Sequence, residues 1–359
     1  MNVLKIIAAI FLLIPNVVHA ETRNVDDILA EMTISEKVGQ MMFIGIYGTE
    51  IDEDSQYMLE TVKPGGIILF DRNLSYPEQV QNLTRDIQTV GNPAVYRFIS
   101  IDEEGGFVVR MRDYIEVPPS QESLGNTGDS NLAREWSMKT ADNLKNLGIN
   151  LNFAPVLDVG RGDGRGRSYS YDSNTVAIFA DSAADGYDSK NFFYTLKHFP
   201  GIGKSVVDQH VRLSTIDATF EELQSDLLPF KTIFEKHSHQ NFMVMIGHNQ
   251  YSAINPDEPA TLSKNVMQNL LRDQLGFDGV IITDDMDMGS ISVDLPRSEL
   301  GVRVIQAGGD VILVCHEYSN QLQVFNGILD AVADGRISEA RLDDSVRRIL
   351  LMKMKGTIE

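Results

Sequence analysis

The stretch GVIITDDMDMG, residues 279–289, passes from an apolar, β-branched segment directly into acidic residues. The run of valine and isoleucine is typical of a buried strand, and Asp284 and Asp285 follow at the point where that strand ends. Polar side chains at the end of an apolar strand are typical of parallel sheets, whose ligands bind beyond the carboxyl ends of the strands. The number of such units along the chain then determines which parallel-sheet fold is expected.

Short apolar runs of this kind occur eight times, with segments of helical length between them. Continuous apolar strands that alternate with helices favour a parallel sheet covered by helices. Eight such units in 359 residues predict an α/β fold with a single (β/α)8 TIM barrel, and a doubly wound open sheet is the alternative. The runs are residues 39–46, 65–70, 96–101, 149–158, 194–199, 242–248, 279–284 and 310–315.

The segments between the runs have helical patterns. Thr33 and Glu36 have the spacing of a capping box, and residues 76–90 place a proline near the start of a segment with apolar residues at helical spacing. Residues 338–355 form an amphipathic pattern that predicts a closing helix. Because no linker-like stretch or change in composition interrupts the chain, residues 21–359 are predicted to form one catalytic domain.

Residues 1–20 are predicted to be a cleavable signal peptide. A short positive start precedes an apolar run at residues 6–18, and the small-residue pattern VHA predicts cleavage after Ala20. The run is short for a membrane-spanning helix and Pro15 interrupts it, so an uncleaved anchor is the less favoured alternative. The mature protein is therefore expected to be periplasmic or secreted, with no stable membrane insertion after processing.

The composition is that of a globular protein, with 43% hydrophobic and 23% charged residues. Fifty-one acidic residues against 31 basic ones give a formal net charge of −20. Nucleic acids and anionic membrane surfaces are polyanions, so this balance argues against both as partners and leaves a neutral ligand open. Cys315 is the only cysteine, so an internal disulfide is excluded, and its apolar surroundings favour a buried hydrophobe.

Ionisable residues cluster where the predicted strands end. In a barrel these positions converge on the carboxyl-end face, where barrel active sites lie. Helix caps explain some of the acidic residues, and Asp285 fits an N-cap best. Caps do not explain Lys197 and His198, which are embedded in an apolar strand. The residues concerned are Asp102, Glu103, Glu104, Asp158, Lys197, His198, His248, Asp284, Asp285 and His316.

The segment KHFPGIGKSVVDQH, residues 197–210, carries two histidines, a lysine and an aspartate in a loop that follows the fifth run. Loops with several ionisable groups are more often functional than structural. Asp208 and His210 are two residues apart, so in an extended loop their side chains point the same way. Asp208 can then hydrogen-bond one ring nitrogen of His210 and raise its basicity, which makes the pair a candidate acid/base device, with a surface ion pair as the alternative.

Two other functions are left open by the residues themselves. A metal-dependent barrel hydrolase is the second hypothesis, although the candidate ligands show neither the His-x-His nor the His-Glu-x-x-His spacing and Lys197 would place a positive charge among them. A catalytically silent sugar-binding barrel is the third. The ligands considered for a metal are His198, His210, His248, Asp284 and His316.

Several motifs together resemble glycoside hydrolase family 3 β-N-acetylglucosaminidases. Residues 197–210 resemble the family signature KHFPGHG…DSH, and ISIDEEGGFVVRMRD at residues 99–113 resembles IDQEGGRVQR. The segments LNFAPVLD, RSYSYD, GVIITDDMDM and AGGDVILVC match in the same order, so the resemblance extends from residue 32 to the last helix. It implies a single barrel domain and a retaining mechanism on terminal β-linked N-acetylglucosamine, typically in peptidoglycan fragments.

The resemblance also implies roles for particular residues and no cofactor or metal. Its nucleophile falls on Asp284, and its acid/base histidine falls on His210 with Asp208 as partner. The two-domain β-glucosidases of the same family take a glutamate acid/base from a second domain, and they remain the alternative within the family. The implied contacts to sugar hydroxyls fall on Asp102, Arg110, Arg167, Lys197 and His198.

This sequence departs from the family pattern in places. Ile202 replaces the usual histidine of the GHG motif, and Gln209 replaces the serine between the two residues of the acid/base pair. Glu103 and Phe107 replace the common glutamine and arginine of the IDQEGGRVQR segment. The implied nucleophile and acid/base pair are unaffected by these differences. The oligomeric state and the choice between water and phosphate as acceptor stay open.

Overall fold

The computed structural model of the protein describes residues 24–93, 95–160, 165–205, 213–291 and 295–356. The predicted signal peptide, residues 1–20, and the predicted acid/base pair, Asp208 and His210, lie outside the described residues. In chain order the strands are β1 Met42–Gly45, β2 Gly66–Leu69, β3 Phe98–Ile101, β4 Leu151–Asn152, β5 Phe193–Phe199, β6 Thr215–Ile216, β7 Phe242–Ile246, β8 Gln250–Tyr251, β9 Val280–Thr283 and β10 Ile312–Val314.

Helices follow most of the strands. A π-helix spans Asn265–Gln274, and short 3-10 turns lie at Asp71–Asn73, Ala260–Leu262 and Gly289–Ile291. The α-helices are α1 Val25–Glu31, α2 Ile34–Gln40, α3 Glu53–Val62, α4 Pro77–Thr89, α5 Gln121–Gly125, α6 Asn131–Asn146, α7 Ser173–Ser189, α8 Phe220–Lys236, α9 Arg297–Ala307, α10 Tyr318–Ala333 and α11 Glu339–Lys355.

Eight of the strands form one parallel sheet that closes on itself. Their order is β10-β1-β2-β3-β4-β5-β7-β9, and every pair in it is parallel. A parallel bridge between Ile282 and Val311 joins the two end strands, and the backbone N–H of Thr283 donates to the carbonyl of Val311 at 3.1 Å. The predicted (β/α)8 barrel is therefore confirmed, and all eight predicted runs contain a strand of the barrel.

The barrel strands are buried on both faces, as expected for a parallel sheet covered by helices. Two of them approach especially closely at Gly45, where an added Cβ would lie 2.0 Å from the carbonyl oxygen of Cys315. Glycine at this position lets β1 and β10 pack at that distance. Cys315 itself is buried, as predicted from its apolar neighbours.

The fourth strand is shorter than the apolar run that predicted it. The run covers residues 149–158, but β4 includes only Leu151–Asn152. Pro155 has no N–H to donate to a neighbouring strand, so the ladder is interrupted there. It resumes at a bridge between Val156 and Lys197, where the N–H of Leu157 donates to the carbonyl of Lys197 at 2.6 Å.

The predicted helix signals are confirmed. Thr33 and Glu36 form a capping box at the start of α2, and α4 begins at Pro77. The closing helix α11 has Ser338 as its N-cap. Within the described part of the chain, no helix has both the length and the apolar character that crossing a membrane requires.

A small second sheet lies beyond the carboxyl end of the barrel. It pairs β6 with β8 in parallel, at Thr215 with Gln250 and Ile216 with Tyr251. The buried hydroxyl of Tyr251 donates to the carbonyl of Gly201 at 2.9 Å. The chain on both sides of residues 206–212 is therefore anchored close to the end of β5.

Candidate active site

A cavity of about 790 Å³ opens at the carboxyl ends of the barrel strands. Its position is the one where barrel enzymes carry their active sites. Asp208 and His210 lie outside the described residues. The other six predicted site residues all line this cavity: Asp102, Arg110, Arg167, Lys197, His198 and Asp284.

Lys197, near the end of β5, is a buried cation between two carboxylates. Its Nζ lies 2.7 Å from Oδ1 of Asp102 and 2.7 Å from Oε1 of Glu104. Burial alone would lower the pKa of Lys197, but the two carboxylates outweigh that effect and raise it. Lys197 therefore stays charged although its side chain is only 2% exposed.

Glu104 extends this network to Arg167. The carboxylate of Glu104 accepts two hydrogen bonds from the guanidinium of Arg167, each 2.8 Å long. Burial would raise the pKa of Glu104, but Arg167 and Lys197 hold it well below its ordinary value. Two parallel bonds fix the plane of the guanidinium, so the Arg167 group is held in one orientation toward the cavity.

Arg110 approaches the same network from the loop after β3. Its Nη2 lies 3.8 Å from Oδ2 of Asp102, and its Nη1 lies 3.5 Å from Oδ2 of Asp71. The backbone N–H of Arg110 donates to Oε2 of Glu103 at 3.0 Å, and the N–H of Met111 donates to the same oxygen at 3.1 Å. Glu103 therefore holds the segment that carries Arg110.

Glu103 is buried without a cation as hydrogen-bonding partner. Its Oε1 has no hydrogen-bond partner among the described residues. Burial raises the pKa of Glu103 to about 7, and its two backbone hydrogen bonds and the charges of Arg110 and Arg112 oppose the rise only in part. The adjacent glutamates Glu103 and Glu104 thus differ in pKa because, among the described residues, cations bond to Glu104 and not to Glu103.

His198, next to Lys197 on β5, is oriented by Asp158. Nδ1 of His198 lies 2.7 Å from Oδ2 of Asp158, and the other oxygen of Asp158 accepts the backbone N–H groups of His198 and Ile202 at 3.2 and 2.8 Å. This arrangement places the proton of the imidazole on Nδ1 and leaves Nε2, 3.5 Å from Nη2 of Arg167, toward the other cavity residues.

Asp284 follows the last residue of β9. Its backbone N–H donates to the carbonyl of Ile246 at 2.9 Å, which fixes it against the neighbouring strand β7. Its side chain accepts the N–H of Asp285 at 2.8 Å. Burial would raise the pKa of Asp284, but His198, His248, the N–H of Asp285 and Lys197 lower it below the ordinary value. The cavity therefore contains a partly buried carboxylate that is kept ionised.

Asp285 does not cap a helix, contrary to the interpretation from sequence. Its Oδ1 accepts the N–H groups of Cys315 and Asp287, both at 3.0 Å, and its Oδ2 lies 3.3 Å from Nε2 of His316. No helix begins at Asp285. The side chain instead ties the end of β9 to the end of β10, and this tie holds the backbone beside Asp284.

Three of the histidines considered as metal ligands, His198, His248 and His316, are engaged by other groups. Nδ1 of His248 lies 2.9 Å from Oγ1 of Thr261, and its Nε2 lies 2.9 Å from the carbonyl oxygen of Asp285. Nδ1 of His316 lies 3.2 Å from Nη1 of Arg72. In the described ranges, no group of three or more histidine, cysteine, aspartate or glutamate side chains is arranged to hold a metal ion. The metal-dependent hydrolase therefore has no ligand set in the described part of the chain.

Two contributors to this site were not assigned a role from the sequence. Glu104 and Asp158 were noted only as acidic residues at strand ends, where helix caps are a common explanation. Their contacts with Lys197, Arg167 and His198 lie across strands that are far apart in the chain. A lysine and a histidine embedded in an apolar strand were the available signal, because buried cations need nearby acceptors.

Comparisons with known proteins agree with this geometry. The model of the glycosyl hydrolase family 3 N-terminal domain matches residues 33–352. A protein named Beta-hexosaminidase from Idiomarina loihiensis is 32% identical over 328 residues, which cover 89% of this chain and 94% of that protein. A protein of the same name from Haemophilus influenzae is 34% identical over 298 residues, which cover 80% of this chain and 82% of that protein.

A solved structure shows the same similarity in three dimensions. The glycoside hydrolase family 3 β-N-acetylglucosaminidase from Paenibacillus has a TM-score of 0.87 and 38% sequence identity to this chain. The match covers 91% of this chain and 63% of that longer one. Because the family model matches most of the chain, and curated relatives above 30% identity cover most of it, this chain belongs to glycosyl hydrolase family 3 and is a glycoside hydrolase.

Proposed function

We propose that this glycoside hydrolase is a retaining exo-β-N-acetylglucosaminidase that uses Asp284 as its nucleophile. The observation that carries the proposal is a partly buried carboxylate at the carboxyl end of a barrel strand, whose pKa is held below its ordinary value chiefly by His198 and His248, with a smaller contribution from Lys197. A retaining glycosidase needs such a carboxylate next to the anomeric carbon. The names of the relatives, Beta-hexosaminidase and β-N-acetylglucosaminidase, support an acetamido sugar as the substrate.

The terminal sugar binds above the strand ends. Lys197 is already paired directly with Asp102 and, through Glu104, with Arg167, so the polar atoms of all three are fixed before the substrate arrives. Fixed donors and acceptors recognise sugar hydroxyls without a further cost of ordering side chains. Arg110 and His198 complete the set of proposed hydroxyl contacts.

The reaction proceeds in two steps. In the first, an oxygen of Asp284 bonds to the anomeric carbon while the bond to the leaving oxygen breaks, and His210 in its imidazolium form gives its proton to that oxygen. In the second, neutral His210 takes a proton from water, and the resulting attack releases the sugar from Asp284. Phosphate is the alternative acceptor, because a neutral base repels an anion less than a carboxylate would.

Asp208 orients His210 in this mechanism. Both residues lie outside the described part of the chain, and their roles rest on the sequence motif. The positions of Ser205 and of β6 support the proposal, because they bring both ends of the 206–212 segment to the cavity side of the barrel. Ser205 lines the cavity, and its hydroxyl donates to Oγ of Ser214 at 3.2 Å.

The proposed natural substrates are muropeptide-like fragments of peptidoglycan, which end in β-linked N-acetylglucosamine. The proposed location is the periplasm or the medium, because residues 1–20 have the pattern of a cleavable signal peptide. Residues 21–359 are proposed to act as one catalytic domain. The N-terminus of the protein recovered from its native cell should be Glu21.

The experiment that tests this function compares two substrates on the purified mature protein. Aryl β-N-acetylglucosaminide should be hydrolysed, with retention of the anomeric configuration followed by NMR, and aryl β-glucoside should be hydrolysed far more slowly. Preference for the glucoside would identify the β-glucosidase alternative instead. Activity that disappears with a chelator and returns with a metal would favour the metal-dependent hydrolase.

The role of His210 is tested by the leaving group. His210→Ala should slow poor leaving groups, such as a second sugar, by about 10²–10⁴-fold, because general acid catalysis is typically worth that much. Aryl glycosides of acidic phenols need little protonation and should be slowed much less. Asp208→Ala should also slow poor leaving groups more than good ones, but its loss of rate should be smaller than that of His210→Ala. An equal effect on all leaving groups would mean that the pair only stabilises the loop.

A further inference from the structure

Phe107 is an exposed aromatic side chain at the rim of the cavity. It is 57% exposed and lines the cavity. Among the large apolar side chains that are exposed in the described ranges, it is the one that lines this cavity. Exposed apolar surface beside a binding site often marks a contact with a ligand.

The turn that carries Phe107 is held in one conformation. The N–H groups of Glu104 and Gly105 both donate to the carbonyl of Val108, at 3.0 and 3.2 Å, and the N–H of Gly106 donates to the carbonyl of Pro118 at 2.9 Å. Gly105 and Gly106 have φ values of 100° and 61°, which other residues adopt at a cost. The exposure of Phe107 is therefore imposed by a hydrogen-bonded turn.

Arg165 fixes the ring further. Its guanidinium carbon lies 4.6 Å from the centroid of the Phe107 ring, within the range of a cation–π interaction. Arg165 also lines the cavity. A ring that is already oriented loses little freedom when a ligand covers it, and this makes it an efficient contact.

The same turn connects the rim to the floor of the cavity. Glu104, three residues before Phe107, is buried against Lys197 and Arg167, which are proposed to hold the terminal sugar. Phe107 stands at the exposed end of that turn. In an exo-acting enzyme the ring at the cavity mouth is the second sugar of the glycan, which is the leaving group.

We propose that Phe107 is the stacking platform for this second sugar ring. The assignment rests on the proposed exo-β-N-acetylglucosaminidase function. One face of a pyranose ring presents C–H groups, and these pack against the flat apolar face of an aromatic side chain. The ligand class is thus a β-linked saccharide whose second residue is a pyranose.

The sequence supports a role that is particular to this chain. Phe107 occupies the position that is arginine in the segment IDQEGGRVQR, which the resembling family carries. An apolar ring cannot donate hydrogen bonds to a substituent of the sugar, as arginine would. The contact in this chain therefore favours the ring itself over charged or polar groups on it.

Two substrates separate this contact from the chemistry. A disaccharide with terminal β-linked N-acetylglucosamine has a second ring, and methyl β-N-acetylglucosaminide has none. Phe107→Ala should lower kcat/KM for the disaccharide by about tenfold, which corresponds to about 1.4 kcal/mol. It should leave kcat/KM for the methyl glycoside unchanged, because that leaving group does not reach the rim.

Two further variants at position 107 test whether the flat face of an aromatic ring is required. Phe107→Tyr should keep most of the disaccharide activity, and Phe107→Leu, which is apolar but not flat, should lose most of it. Tyr57→Ala is the matched control, since Tyr57 is equally exposed at 57% on α3 and does not line the cavity. Tyr57→Ala should leave kcat/KM unchanged for both substrates.

The results would distinguish an error in the Phe107 assignment from an error in the proposed function. An equal loss on both substrates, or full activity with leucine, would overturn the stacking assignment while the proposed function stands. Wild-type protein that hydrolyses neither substrate would refute the proposed function, and the assignment of Phe107 would fall with it. Thermal unfolding of each variant confirms that a change in activity is not a change in folding.

Discussion

The two ends of the barrel each contain a buried lysine, and the pKa values of the two lysines are shifted in opposite directions. Lys197 at the carboxyl end donates to the carboxylates of Asp102 and Glu104, each at 2.7 Å. Lys353, on α11 at the amino end, donates to Oε1 of Gln40 at 2.8 Å and to the carbonyl of Gly65 at 2.9 Å. The partners of Lys197 are anions, and those of Lys353 are neutral oxygens.

The difference in partners sets the charge. Burial lowers the pKa of both side chains, but the carboxylates outweigh it at Lys197 and raise the pKa there. At Lys353 burial and the nearby Arg97 both act in the same direction, and the pKa lies well below its ordinary value. The rings of Phe98 and Tyr96, 5.2 and 5.7 Å away, surround its Nζ. The pKa of the buried lysine is thus raised at the cavity end of the barrel and lowered at the opposite end.

The largest effect is expected at Asp284, which this charged end keeps ionised. Asp284→Asn preserves the shape of the side chain and removes the anion, so turnover should fall by at least about 10³-fold. The measurement is kcat on an aryl β-N-acetylglucosaminide. A 2-fluoro sugar should label Asp284 in the wild type, and a label on Asp285 would show that the nucleophile is misassigned.

Lys197→Met should give the next largest effect. The variant removes a donor to the sugar and the counter-charge of Asp102, and loss of one such donor typically costs about 10²–10³-fold in turnover. Glu104 keeps its two bonds to Arg167, so the fold should survive, which circular dichroism would check. Activity within a few-fold of wild type would mean that Lys197 contributes only to packing, as Lys353 does.

Glu103 lies at the carboxyl end of the barrel but resembles Lys353, because none of the described cations bonds to its side chain. Its pKa is raised from 4.5 to about 7, so the folded protein binds a proton that the unfolded chain releases between these values. The free energy of unfolding should therefore fall by up to about 3 kcal/mol as the pH rises from about 4.5 to about 7.

Glu103→Gln tests this directly. Glutamine keeps an acceptor for the N–H groups of Arg110 and Met111 but does not titrate. Urea unfolding at pH 5 and pH 8 should show a smaller loss of stability in the variant than in the wild type. Identical losses in the two proteins would place the titrating group elsewhere.

The smallest effect on activity is expected at Lys353. Methionine is close to lysine in volume, so Lys353→Met should leave kcat/KM unchanged. The pKa of this amine in the folded wild type lies well below the ordinary value of 10.5, so just below pH 10.5 the unfolded chain binds the proton more readily and stability should rise with pH toward that value. The variant should lack this contribution. A loss of activity in the variant would contradict the separation of the two ends.

Much of the fold was predictable because it depends on local patterns. Apolar runs, capping residues and proline positions act within a few residues, so the eight strands and the signals at α2, α4 and α11 were recognised. The exception is the fourth run, where Pro155 ends the ladder although the residues around it are apolar. The interpretation of Asp285 as a helix cap was wrong because its carboxylate accepts a hydrogen bond from Cys315, which lies 30 residues further along the chain at the end of β10.

The sequence by itself determined the class of fold, the family and the set of ionisable residues at one end of the barrel, because strand periodicity and motifs are properties of neighbouring residues. Only the tertiary structure decided which of those residues carry charge. Glu103 and Glu104 are adjacent in the chain, yet burial raises the pKa of the first while Arg167 and Lys197 lower the pKa of the second. The charge of a buried group depends on the nearest counter-charge, and folding brings that partner from a distant part of the chain.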